Sequence, residues 1–124
     1  QNLQIPRLHH GRLDTIRTFC DAIEMIEAYI LFMEKGKKGD LFNISGDETL
    51  IMTQILDLLR KLTQVSFEAR VDERLMRPAD VGCLRPSSQK FRDQFKWKPI
   101  VPYAVSLNAL LNYWRKKIDD ASFR

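Results

Sequence analysis

Between Asp21 and Met33 apolar side chains recur at Ile23, Ile26, Ile30 and Met33, and Met25, Tyr29 and Phe32 widen the stripe. The period is helical, and an apolar face this wide implies burial on two sides. That need constrains the fold more than any other feature of the chain. Asp21 is placed to cap the helix start, and Lys35-Gly36-Lys37-Lys38-Gly39 brings the positive charge and glycines that suit a helix end.

Short strands and further helices alternate around this helix. Leu3 to His10 reads as an extended opening that runs into Gly11 and a loop, Arg12 to Phe19. Asp40 to Gly46 reads as a short strand carrying Leu41, Phe42 and Ile44. Ile51, Ile55, Leu58, Leu59 and Leu62 then make a helical stripe, with Asp47 and Thr49 as candidate caps. Val65, Phe67, Ala69 and Val71 alternate with Ser66, Glu68 and Arg70, the pattern of a half-buried strand. Pro78 and Pro86 keep Asp72 to Pro86 irregular, and a short helix is expected from Ser88 to Phe95. The last helix begins near Pro102 and sets Leu107, Leu110, Leu111, Trp114 and Ile118 on one face. Trp97 and Trp114 read as packing anchors, Trp97 joining the short helix to the last one. The alternation gives an α/β fold of about four helices with short strands, as a single domain over residues 1–124.

Composition narrows the function. At 124 residues the chain can bury one ordinary core, but is short for a complete enzyme with its own cofactor domain. Twenty Lys and Arg against 16 Asp and Glu leave +4, which favours anionic ligands. The basic residues are scattered, and the one triplet, Arg115-Lys116-Lys117, sits on a solvated helix end, so nucleic acid is not the expected partner. Cys20 and Cys83 stand far apart without metal-ligand spacing, which fits a reducing, cytoplasmic setting. His9 and His10 are neighbours on an extended segment and point to opposite faces, so they do not form a metal site. No apolar run is long enough to span a bilayer, and the opening residues lack the apolar centre of a signal peptide. A first residue Gln1 in place of Met fits a processed chain or an excised domain.

The chemistry rests on a few loop residues. Arg17 and Arg77 each offer a planar fork of donors suited to a phosphate or diphosphate. The alternative is that each is a surface cation paired with Asp14, Asp21 or Asp80. Asp80, three residues after Arg77, can accept from ribose hydroxyls if the loop brings both to one ligand; otherwise it is a turn residue beside Pro78. Gly36-x-x-Gly39 follows a helix where a dinucleotide fingerprint follows a strand, so it reads as a helix stop.

In order and spacing these pieces resemble the carboxy-terminal portion of an extended short-chain dehydrogenase/reductase acting on nucleotide sugars, in the branch of the GDP-mannose 4,6-dehydratases and GDP-4-keto-6-deoxy-mannose reductases. Gly11-Arg12-Leu13-Asp14-Thr15-Ile16-Arg17-Thr18-Phe19-Cys20-Asp21 is similar to that family's Gly-Asn-Leu-Asp-x-x-Arg-Asp-Phe-x-Asp. Ala28-Tyr29, Leu41-Phe42-Asn43-Ile44, Arg77-Pro78-Ala79-Asp80-Val81, Lys90 and Trp97-Lys98-Pro99 follow in the family's order. The resemblance implies a Rossmann-type, NADP-binding amino-terminal half that carries the catalytic Ser/Thr-Tyr-Lys set and is missing here. It also implies Arg17 and Arg77 on the diphosphate of a GDP-sugar, Asp80 on its ribose, and no cofactor held by this chain alone. Tyr113 and Lys117 have the catalytic spacing but lie on the last helix, where the family has no such pair. Arg12, Thr18, Pro86-Ser87 and Lys96 depart from the family's Asn, Asp, Gly-Asp and Gly. The parent would be a dehydratase, hence a lyase, or a reductase. A free-standing, non-catalytic module that binds a protein partner or self-associates as a homodimer is the rival expectation.

Overall fold

The computed structural model describes residues 5–122; Leu3 and Gln4, the first residues of the expected extended opening, lie outside the described residues. Two small sheets and four helices make up the described residues. The first sheet pairs β1 (Arg7–His10) with β4 (Glu68–Val71) in parallel. In the second, β2 (Ile16–Phe19) is central, antiparallel to β3 (Glu48–Ile51) and parallel to β5 (Cys83–Leu84). Helices α1 (Ala22–Lys35) and α3 (Gln89–Phe95) pack together, as do α2 (Met52–Leu62) and α4 (Tyr103–Ser122).

The helices follow their patterns. Asp21 caps α1, its carboxylate accepting from the Ile23 N–H at 2.8 Å, and the Ser106 hydroxyl donates to its other oxygen at 2.5 Å. Both bonds favour the ionised form, the Ser106 one most, and hold Asp21 below the usual carboxylate range. α2 starts after β3 without help from Asp47 or Thr49: the Gln54 side chain accepts from the Ile51 N–H at 2.9 Å, because Glu48 to Ile51 are committed to the sheet.

Four expectations need correction. Arg12 to Phe19 is not all loop, since Ile16–Phe19 is the middle strand of a sheet; its polar residues conceal it, and neighbours on both sides impose it. The alternating segment from Val65 enters a ladder only at Glu68, because its partner β1 offers four residues. Asp40 to Gly46 has no strand neighbour among the described residues and stays outside both sheets. Trp97 stacks edge-on against Phe91, 5.6 Å between ring centres, so it anchors α3 into an aromatic cluster with Phe32, Phe42 and Phe95 instead of joining α3 to α4. Trp114 is half exposed and lies against Tyr113.

The core is small: Ala28, Ile55, Leu56, Phe91 and Leu107 are buried. The broad α1 stripe is not covered, for Ile23 is 68%, Ile26 56% and Met33 77% exposed.

Lys96 adopts a left-handed φ of 55° as the cap of α3, its N–H donating to the Arg92 carbonyl at 2.8 Å. A β-carbon in that region costs about 1 kcal/mol. Lys96→Gly is therefore expected to raise the unfolding free energy by about 1 kcal/mol, read as a higher urea midpoint at unchanged slope; an unchanged or lower midpoint would refute it.

Candidate functional site

One cleft gathers the residues that the sequence singles out. Its floor is one face of β2 and the residue before it, where Thr15, Arg17 and Phe19 fall at alternate positions. Gly11 and Arg12 close one side, Met52 opens α2 on another, and Leu75, Arg77 and Asp80 come from the segment between β4 and β5. The cavity measures about 420 Å³, within the ordinary range of small-molecule sites.

Local contacts explain how distant segments meet here. The N–H groups of Met52 and Thr53, at the start of α2, donate to Thr15 and Leu13 at 3.0 and 3.1 Å, and Ile16 donates to Gly82 at 2.8 Å. The loop before β2 is thereby pinned between α2 and the chain entering β5. Gly11 is pressed on the 3-10 turn Glu73–Leu75, where a β-carbon would stand 2.6 Å from the Leu75 carbonyl oxygen. That close approach draws the Arg77–Asp80 segment over the cleft.

Arg17 donates through one terminal nitrogen to the Ile16 carbonyl at 2.8 Å and through the other to Asp80 Oδ1 at 3.0 Å. Both side chains are about a quarter exposed. Arg77 makes no ion pair among the described residues. Arg12 grips Asp14 with two bonds of 2.9 and 2.6 Å, which raises the arginine and lowers the carboxylate from their usual ranges.

Arg17, Arg77 and Asp80 thus line one cavity, while Asp14 pairs with Arg12 and Asp21 caps α1. Phe19, Met52 and Leu75 add an apolar wall that sequence reasoning did not single out. For Phe19 the signal was available in its spacing of two from Arg17; for Met52 and Leu75 only the tertiary fold supplies it. This lining can hold an anion and a hydroxyl-bearing group side by side against an apolar surface.

No family model matches the chain. Over 118 residues, 95% of its length, the chain is 30% identical to GDP-6-deoxy-D-mannose reductase of Pseudomonas aeruginosa. The solved structure of RMD from that organism, complexed with NADPH, superposes over 93% of the chain with a TM-score of 0.82. The chain matches the carboxy-terminal part of the extended short-chain dehydrogenase/reductases. A 25% identity to human dTDP-D-glucose 4,6-dehydratase spans 88% of the chain, and a UDP-glucose 4-epimerase from Thermotoga maritima, solved with UDP-glucose, shares the fold at a TM-score of 0.78. The chain spans 39% of the length of the Pseudomonas reductase and 32% of the human dehydratase.

Proposed function

We propose that this chain is the GDP-sugar-binding, carboxy-terminal portion of an NADP-dependent dehydratase or reductase, with Arg17 and Arg77 holding the diphosphate and Asp80 the ribose. The observation that carries the reading is the convergence of these three side chains on one cleft although 63 residues separate Arg17 from Asp80. Guanidinium groups bind phosphates through paired donors, and a carboxylate accepts from the hydroxyls of a cis-diol. A match that runs over 95% of the chain does not favour the free-standing module.

The cofactor belongs to the longer enzyme in this reading. Among the described residues no glycine-rich loop leads from a strand into a helix, and Gly36 and Gly39 follow α1. These residues do not form a dinucleotide cradle, and no step of the reaction is assigned to them. Two free thiols, at Cys20 and Cys83, suit the reducing cytoplasm we propose for it.

Exposed surface supports a missing partner. The chain presents 9819 Å², whereas a compact monomer of 14.6 kDa should present about 6,900 Å². The excess, about 2,900 Å², is several times the roughly 800 Å² that one partner buries in a standard interface. We read an amino-terminal domain as the cover of this excess, seated in part on the exposed Ile23, Ile26, Ile30 and Met33.

Calorimetric titration of the chain with GDP tests the reading. Saturable binding is expected, weakened about 30-fold by Arg17→Ala and by Arg77→Ala, while NADP gives no saturable heat. Affinity for GDP that is unchanged in both variants would overturn it.

A further inference from the structure

We propose that a pocket on the other face of β2 is a second anion site, separate from the cleft, which takes a phosphate-sized oxyanion. Thr18 falls between Arg17 and Phe19, so its side chain leaves the strand on the face opposite theirs. There it lines a pocket of about 250 Å³ with Thr49 of β3, facing the chain that leads from β5 into α3. No residue lines both this pocket and the cleft. Gly46 and Pro86 aside, every side chain in the wall is polar or charged. The volume lies below the roughly 300 Å³ at which sites for drug-sized molecules begin. A pocket so small and so polar suits a compact ion better than a nucleobase or a sugar ring.

The wall is fixed from behind. Ser45 and Ser88 are 6% and 4% exposed; the Ser45 hydroxyl donates to the Pro86 carbonyl at 2.9 Å, and the Ser88 hydroxyl to the Ser45 carbonyl at 3.2 Å. These bonds hold the residues around Pro86 against the segment that enters β3. Arg92 donates through Nε to Ser88 Oγ at 2.9 Å and pairs with Asp47 at 2.5 Å, so the one carboxylate in the wall is already neutralised. What remains is a set of donors. Arg85 makes no ion pair among the described residues. Ser87 Oγ accepts from the Gln89 N–H at 3.3 Å, which leaves its own proton to donate. The Thr18 and Thr49 hydroxyls stand 3.0 Å apart; one donates to the other, and the second proton stays available. Two arginines against one aspartate leave a net positive charge in the wall. A guanidinium fork with hydroxyl donors beside it matches an ion whose oxygens accept.

The experiment titrates inorganic phosphate into the nitrogen-15-labelled chain at low salt and follows each backbone amide by NMR. The Thr18, Ser87 and Gln89 signals are expected to move together and to saturate. Arg85→Ala should weaken this binding about tenfold and Ser87→Ala about threefold. Lys116→Ala removes the same charge from the exposed end of α4 and should change it less than about twofold. Equal weakening by Arg85→Ala and Lys116→Ala would reduce the effect to net charge and overturn the proposal. So would the absence of saturable shifts, or shifts confined to Arg17, Arg77 and Asp80, which would put phosphate in the cleft alone. Arg85 and Ser87 are exposed, so their replacement leaves the core intact. The nucleotide-binding reading stands or falls separately, on GDP and on the Arg17 and Arg77 variants.

Discussion

Gly46→Ala is expected to cost the fold about 4 kcal/mol, the largest single effect of any glycine substitution in this chain. An added β-carbon would lie 1.7 Å from the Phe19 carbonyl oxygen and 2.7 Å from its carbon, with the Cys20 Cα at 3.0 Å. All three are backbone atoms, so no side-chain rotation relieves the overlap, and either the end of β2 or the segment entering β3 must shift. β2 carries Arg17 and Phe19, so the same shift distorts the cleft floor, and binding of GDP should fall with stability. Urea unfolding followed by circular dichroism reads the loss. Gly82→Ala is the control, because nothing lies within 4 Å of the position and the change should stay within about 0.5 kcal/mol. If Gly46→Ala unfolds at the same urea concentration as Gly82→Ala, the close approach of Gly46 to β2 is wrong.

Which parts of the fold could be read ahead follows from where their causes lie. The helices carry their own evidence: a repeat of apolar residues, an Asp cap at residue 21, a proline at 102. β2 does not, since Ile16-Arg17-Thr18-Phe19 has no apolar alternation, and it becomes a strand because β3 and β5 flank it, with the Thr18 and Thr49 hydroxyls 3.0 Å apart across the ladder. The expected strand at Asp40 to Gly46 shows the converse case. Leu41, Phe42 and Ile44 suit a strand, but strand structure is a property of a pair and no described segment pairs with this one. Leu41 is 82% exposed, as expected of an apolar side chain on a segment without a ladder to hold it.

The site divides in the same way. The residue types at Arg17, Arg77 and Asp80 announce anion and hydroxyl chemistry, and they are legible one at a time. Their convergence is not, because it depends on the parallel pairing of Ile16 and Arg17 with Cys83 and Leu84, and β5 is only two residues long. The wide stripe of α1 was legible as a demand for burial, yet the structure leaves it open. Helical spacing fixes which side of α1 is apolar, but what packs on that side is decided by tertiary neighbours that the spacing does not name.

Glu24 offers the second large effect, in a place where polar burial has to be accounted for atom by atom. It is 6% exposed, and its Oε1 accepts from the Ile100 and Val101 N–H groups at 2.5 and 2.9 Å, clamping the α3–α4 connection onto α1. Its Oε2 is buried without a partner. Glu24→Ala removes a charged acceptor from two amides, each worth about 1.5 kcal/mol or more, and should cost about 3 kcal/mol in all. Glu24→Gln keeps an oxygen for the amides and turns an NH2 toward the orphan position, in a pocket that Asp21, Asp47 and Glu48 also line. The weaker neutral acceptor and the relieved orphan oppose each other, so Gln should lie within about 1 kcal/mol of the native chain. Hydrogen exchange at Ile100 and Val101 separates clamping from bulk packing: both amides should exchange faster in Glu24→Ala and near the native rate in Glu24→Gln. If Gln proves as destabilising as Ala, the negative charge and not the acceptor geometry holds the connection in place.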